Sequence, residues 1–286
     1  HRVAFRHAHS GANPEADWGR HTLQAMRFGL HALGLAFPEL APFTPANTRI
    51  IVTGLSNGGG AVLRAAELPG AEDFDAVVAI APNVTPPGGR HLFDFALDAA
   101  LYQPCLFADP DFEAAPGVLP PEVRKAAALA RCASLAAAGL LPAGDAVEQA
   151  RAAGKVLATA GWEDAPLRLA AFHVDLDLWR SLMATYAQAY TRATLAAPVC
   201  GYAFAAVDAQ GQPRATTMAE RATWWSDGSG IAPGMGVVVL DALAQGADRA
   251  FPALDCVRRL RAGEGALASA FTVVRAICAV LSGTIH

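Results

Sequence analysis

Residues Ile50 to Gly60 read I-I-V-T-G-L-S-N-G-G-G, and the spacing Gly54-x-Ser56-x-Gly58 is one that can turn a serine hydroxyl into a nucleophile. A serine attacks a carbonyl carbon efficiently when its hydroxyl projects from a very tight turn between a strand and a helix. The residues two before and two after it must then be small, as Gly54 and Gly58 are. The backbone N–H of the following residue, Asn57, is the expected first donor of the oxyanion hole. The predicted chemistry is acyl transfer, with Ser56 catalytic and Asn57 holding the tetrahedral oxyanion.

The flanking residues must build that turn. The β-branched run Ile50 to Thr53 predicts a strand, and Ala61 to Leu68 a helix that Pro69-Gly70 ends. Gly59 and Gly60 let the helix begin close against the sheet. A second apolar strand is expected from Asp75 to Ile80. In this context the motif fits the nucleophile elbow of α/β-hydrolases. A phosphate-binding loop is the other glycine-rich option, but no Lys-Ser/Thr follows the glycines and G-x-G-x-x-G is not matched.

A nucleophilic serine also needs a histidine to move its proton and an acid to orient that histidine, in the chain order Ser, Asp/Glu, His. After Ser56 the histidines are His91, His173 and His286. His91 follows too soon, and His173 is expected at a helix start in a capping or surface role. Asp241 with His286 would satisfy the order, although a terminal histidine is a poor triad member. The simplest expectation is that the acid and the histidine lie beyond the end of this chain, and the first sheet strands before His1. His7 and His9 alternate on an extended segment, but no H-E-x-x-H or cysteine cluster completes a metal site; no metal or cofactor is expected. Asp175 and Asp177 read as capping or solvated residues, and Trp224-Trp225 as core.

Helical periodicity predicts a helix opened by Asn13-Pro14-Glu15 that buries Leu23, Met26, Leu30 and Leu33. Helices are also expected over Leu92–Leu101, Pro121–Ala138, Asp145–Ala160 and Asp175–Thr194. Val199–Val207 and Val237–Leu240 are candidate strands. The predicted fold class is α/β: a partial α/β-hydrolase fold, a parallel sheet carrying the elbow, with a helical cap inserted. Residues 1–90 would be core, 91–197 cap and 198–286 a return segment.

With 53% hydrophobic and 17% charged residues, the composition is that of a globular chain. A net charge of −4 with scattered basic residues argues against a nucleic-acid partner; Arg258, Arg259 and Arg261 read as a solvated face. The apolar run 265–285 has Arg275 at its centre, which argues against a membrane span. The chain opens on His1 with no methionine or leader-like stretch, so it reads as a piece of a longer polypeptide. Its five cysteines match no C-x-x-C pattern. Buried free thiols are the expectation, and a Cys105–Cys132 disulfide the alternative in an exported protein.

Several segments in order, His7-Ala8-His9-Ser10, Asn13-Pro14-Glu15, Asp17-Trp18-Gly19, Ser56 to Gly60, Pro82 to Pro86, Leu101 to Cys105 and Arg131-Cys132, resemble bacterial D-(−)-3-hydroxybutyrate oligomer hydrolases. The resemblance runs through the first half and thins afterwards. It implies an exported, secreted or periplasmic serine esterase without cofactor, whose partner is a small-molecule ester, dimers and short oligomers of 3-hydroxybutyrate. Only Ser56, followed by Asn57, is carried over from the family. A tannase- or feruloyl-type esterase shares the Asp-Trp-Gly and elbow pattern and is the alternative enzyme; an inert fragment with a vestigial elbow is the alternative outside enzymes.

Overall fold

A computed structural model describes residues 17–82, 84–85, 89–191, 198–210, 213–214, 217–220 and 237–263. These fall into two compact units, within 17–92 and 93–263. The expectations for Asn13-Pro14, His7, His9, Trp224, Trp225, the run 265–285 and His286 lie outside the described residues.

The first unit is built on a strand–helix–strand passage. β1 (Ile51–Leu55) pairs in parallel with β2 (Ala76–Ile80), in a register from Ile51 opposite Ala76 to Leu55 opposite Ile80. Parallel neighbours need a crossover, and α2 (Asn57–Ala66) supplies it, packing on both strands. α1 (Trp18–Ala36) packs in turn on α2. Gly19 sets that approach: a Cβ there would lie 2.9 Å from the Arg64 carbonyl carbon. Of the predicted apolar face only Leu23 is buried, and Leu33 is 37% exposed. The reason is length: α2 is 10 residues against 19 for α1, so the later turns of α1 overhang it. Asp17 stands at the helix start, but its carboxylate takes Arg20 rather than capping helix N–H groups.

Both strands turn their larger side chains outward. Ile51, Leu55, Val78 and Ile80 share one face and are exposed, while Val52, Val77 and Ala79 lie half-buried on the other.

The second unit is mainly helical: α3 (Leu92–Leu106), α4 (Pro121–Ala137), α5 (Ala146–Thr159), α6 (Asp164–Leu167), α7 (Ala170–Asp175) and α8 (Leu178–Tyr190). Local chemistry explains the boundaries. Proline opens α4, where its missing N–H is not needed. Asp145 accepts from the N–H groups of Val147 and Glu148 while Glu148 reaches back to the Asp145 N–H, a capping box that starts α5. The helix expected from Asp175 begins instead at Leu178, because Asp175 ends α7 and Asp177 adopts φ +53° between the two helices. Aspartate tolerates that left-handed conformation, and its carboxylate accepts a hydrogen bond from Arg180 Nε at 2.8 Å.

β3 (Tyr202–Val207) lies between β4 (Pro213–Arg214) and β5 (Val237–Asp241) in an antiparallel sheet separate from β1 and β2, and α9 (Phe251–Arg261) follows. This sheet and α9 belong to the helical unit. Leu101, Leu135, Leu157, Met183, Tyr202 and Leu254 are its largest fully buried apolar side chains.

Two disulfides correct the expectation of free thiols. Cys105–Cys132 joins α3 to α4, and Cys200–Cys256 joins the turn before β3 to α9, with Cα–Cα distances of 5.0 and 5.7 Å, within bridging range. The arginines of α9 are not merely a solvated face: Arg261 pairs with Asp94 of α3 at 2.7 Å, and Arg258 with Asp255. None of the helices among the described residues is long and apolar enough to cross a membrane.

Candidate active site

Ser56 occupies the single residue between β1 and α2, with φ +54° and ψ −117°. A non-glycine residue held there costs about 1–3 kcal/mol of backbone strain, so the surrounding bonds must impose it. The Ser56 N–H donates to the Ile80 carbonyl at 3.0 Å, extending the parallel ladder by one rung. Its carbonyl accepts from the Gly60 N–H at 3.2 Å and so starts the helix. The chain therefore enters as strand and leaves as helix within one residue. The serine side chain is left exposed, and among the described residues its hydroxyl has no hydrogen-bond partner.

The glycines divide the work unequally. A Cβ on Gly54 would sit 2.0 Å from the Gly58 carbonyl oxygen, so only glycine fits there. On Gly58 itself a Cβ would meet nothing within 4 Å, so the expectation that both glycines answer a steric demand holds for Gly54 alone. Gly59 carries a second close approach: its Cβ would lie 2.9 Å from Pro82 Cα, so α2 starts against the segment leaving β2. That segment also bends, with Ala81 at φ +42°. Asn57 opens α2, and its N–H belongs to the positive end of the helix dipole, suited to an oxyanion.

Ser56 and its successor Asn57 stand at this turn; of the candidate partners, His91, His173 and Asp241 are among the described residues, each with other neighbours. His91 Nδ1 is 2.8 Å from Thr85 Oγ1, in the segment between β2 and α3. His173 is neither a cap nor a surface group. It lies inside α7 with its ring edge-on to Trp179 at 5.2 Å, and its buried Nδ1 has no partner. Burial pushes its pKa below the usual histidine range. Asp241 ends β5, 3.7 Å from Arg180, and burial raises its carboxyl pKa. Asp175 is buried rather than solvated: it accepts from Arg124 Nε at 2.8 Å and from the Leu119 N–H at 2.7 Å. His173, Asp175 and Asp241 thus lie within the helical unit. Among the described residues no cluster of three or more His, Cys, Asp or Glu could hold a metal ion.

The 3HB-oligomer hydrolase (3HBOH) family model matches residues 1–273. The chain belongs to the 3HB-oligomer hydrolase family.

Three D-(−)-3-hydroxybutyrate oligomer hydrolases illustrate the likeness. That of Cupriavidus metallidurans is 37% identical over 295 residues, covering 93% of this chain and 40% of the relative. That of Paracidovorax citrulli is 37% identical over 273 residues, covering 86% and 38%. That of Paraburkholderia xenovorans is 34% identical over 280 residues, covering 89% and 40%. The chain thus spans about two fifths of the length of the curated relatives it matches. No solved structure matches it.

Sequence reasoning found the family segments but not what two of them do. Pro104, inside α3, has no N–H, which leaves the Ala100 carbonyl without its helical donor. Arg131 Nη1 donates to that oxygen at 2.5 Å, its Nε and Nη2 grip Asp248, and the Cys105–Cys132 disulfide lies beside it. The segments 101–105 and 131–132 are therefore one structural joint. A proline in a helical pattern plus a lone buried arginine was the available signal.

Proposed function

We propose that the chain carries the nucleophile of a serine esterase that hydrolyses dimers and short oligomers of 3-hydroxybutyrate. One observation carries this reading: Ser56 is held at φ +54° between a parallel strand and a helix, in a chain of the 3HB-oligomer hydrolase family. The relatives' printed names supply the substrate class.

The proposed step follows from the turn. Ser56 Oγ attacks the ester carbonyl carbon as a histidine takes its proton, and the carbonyl oxygen becomes an oxyanion. The Asn57 N–H stabilises that oxyanion. Collapse expels the alcohol of the departing hydroxybutyrate unit, which receives the proton, and leaves an acyl-Ser56 ester. Water then attacks this ester and restores the serine. The histidine and its acid would come from the remainder of the longer polypeptide. The proposed chemistry uses no metal or cofactor.

The fold we infer around this turn is part of an α/β-hydrolase. The parallel β1–β2 pair with its crossover helix supports that reading, and the helical unit would be its cap. We also infer an exported protein, secreted or periplasmic, which two disulfides support because they persist in oxidising compartments.

A fluorophosphonate probe on the longer family protein tests the assignment, with release of 3-hydroxybutyrate from its dimer measured alongside. The expected result is labelling at Ser56, with labelling and release both lost in Ser56→Ala. Turnover retained by Ser56→Ala, or release of aromatic acids in preference to hydroxybutyrate, would overturn it.

A further inference from the structure

The helical unit carries a half-open cavity of about 330 Å³ that has no part in the chemistry proposed at Ser56. Small-ligand pockets span roughly 300–1,000 Å³ and combine apolar walls with a few placed polar groups. The cavity meets both conditions at the small end. Ala99, Ala100 and Pro104 of α3 form one wall, and Trp179 and Leu254 face it from α8 and α9.

Its polar groups are unevenly matched. Arg131, Arg180 and Arg249 line it together with Asp177 and Asp248. Arg131 is committed to Asp248 and to carbonyls of α3, with its side chain 5% exposed. Arg180 gives Nε and Nη2 to Asp177, and its Nη1 lies 3.7 Å from Asp241, too far for a hydrogen bond. Arg249 makes no ion pair among the described residues. Asp177 is 40% exposed and bound to Arg180, and Asp241, which does not line the cavity, acts on the exposed Arg249 through space without a close ion pair. The cavity therefore presents one guanidinium, Arg249, that makes no close ion pair among the described residues, and a second with donors to spare, beside an aliphatic wall.

We propose that this cavity binds a short-chain carboxylate, with its aliphatic body against Ala99, Pro104 and Trp179 and its carboxylate on Arg249. Guanidinium and carboxylate match in charge and in donor geometry. A chain of about four carbons fits the volume. That the natural ligand is a 3-hydroxy acid rests on the proposed function; the carboxylate class does not.

Calorimetric titration of the 286-residue chain with butyrate, (R)-3-hydroxybutyrate and neutral butyramide tests the proposal. Both acids should bind saturably at one site, and butyramide about tenfold more weakly, the loss of one charge-assisted contact. Arg249→Ala should weaken the acids by a similar factor. Ala127→Trp, at an exposed lining position that adds no volume to the core, should block them. Ser56→Ala should change nothing. No saturable binding, equal binding of the amide, or indifference to both cavity variants would overturn the site. Loss of binding in Ser56→Ala would move the acid to the serine turn and overturn it equally. Fluorophosphonate labelling of Ser56 is a separate readout, so the two readings fail independently.

Discussion

Arg131 donates to the carbonyl of Ala100, the one helical acceptor that Pro104 leaves without a partner. Asp248 balances the buried guanidinium through two further hydrogen bonds. Removing the arginine would strand a carbonyl and a carboxylate at once. Arg131→Met should cost about 3–5 kcal/mol, the range for breaking one side of a buried pair. Pairing it with Asp248→Asn should recover part of that loss. Urea unfolding of the single and double variants measures both.

Ser56 is strained in its own backbone, and glycine would relieve that strain. Ser56→Gly should raise stability by about 1–2 kcal/mol while abolishing probe labelling. Ser56→Ala should abolish labelling with no such gain. Equal thermal midpoints for the two variants would contradict the strained conformation.

The two glycines flanking the Ser56 turn should respond in opposite directions. Gly54→Ala forces a methyl to within 2.0 Å of the Gly58 carbonyl, so the turn must open, at a cost of about 2–4 kcal/mol. Gly58→Ala places its methyl in open space within a helix and should stabilise by about 0.5–1 kcal/mol. Denaturant midpoints of the two variants decide this.

His173 gives a signed pH dependence. Its folded pKa lies below the ordinary 6.5 because burial disfavours the imidazolium. Above 6.5 both the folded and unfolded forms are neutral and the histidine is silent. As pH falls below 6.5 the unfolded chain takes up the proton first, so stability falls toward the folded pKa. His173→Gln should flatten that slope in midpoints recorded between about pH 7 and 5.

The disulfides can be counted. With four of the five cysteines paired as Cys105–Cys132 and Cys200–Cys256, one thiol per chain should react before reduction and five after. Closing a loop of 27 residues stabilises by roughly 3–4 kcal/mol in the chain-entropy account. Reduction should therefore lower the melting point of the helical unit, and mass spectrometry after alkylation reports the pairing.

The strand–turn–helix at Ser56 was legible in the sequence because it is local. A β-branched strand, a turn and a helix follow one another within twenty residues, and Gly54 and Ser56 stand where that pattern requires. The capped and proline-opened starts of α4 and α5 were legible for the same reason. What the sequence hid is non-local. Arg131 and Ala100 are 31 residues apart, and Arg124 and Asp175 are 51. No periodicity records such partners, so Asp175 reads as capping or solvated and the cysteines as free thiols, with the Cys105–Cys132 bridge only as the alternative. Gly58 was misread differently. It matches the motif, but the space beside it depends on how α2 leaves the turn.

The outward Ile51, Leu55, Val78 and Ile80 have a practical corollary. Parallel strands are normally covered on both faces, and four branched side chains in register make a contiguous greasy strip. Preparations of this chain should bind hydrophobic dyes and self-associate as concentration rises. Aspartate at Ile51 and Val78 would be the first change to make for a well-behaved sample.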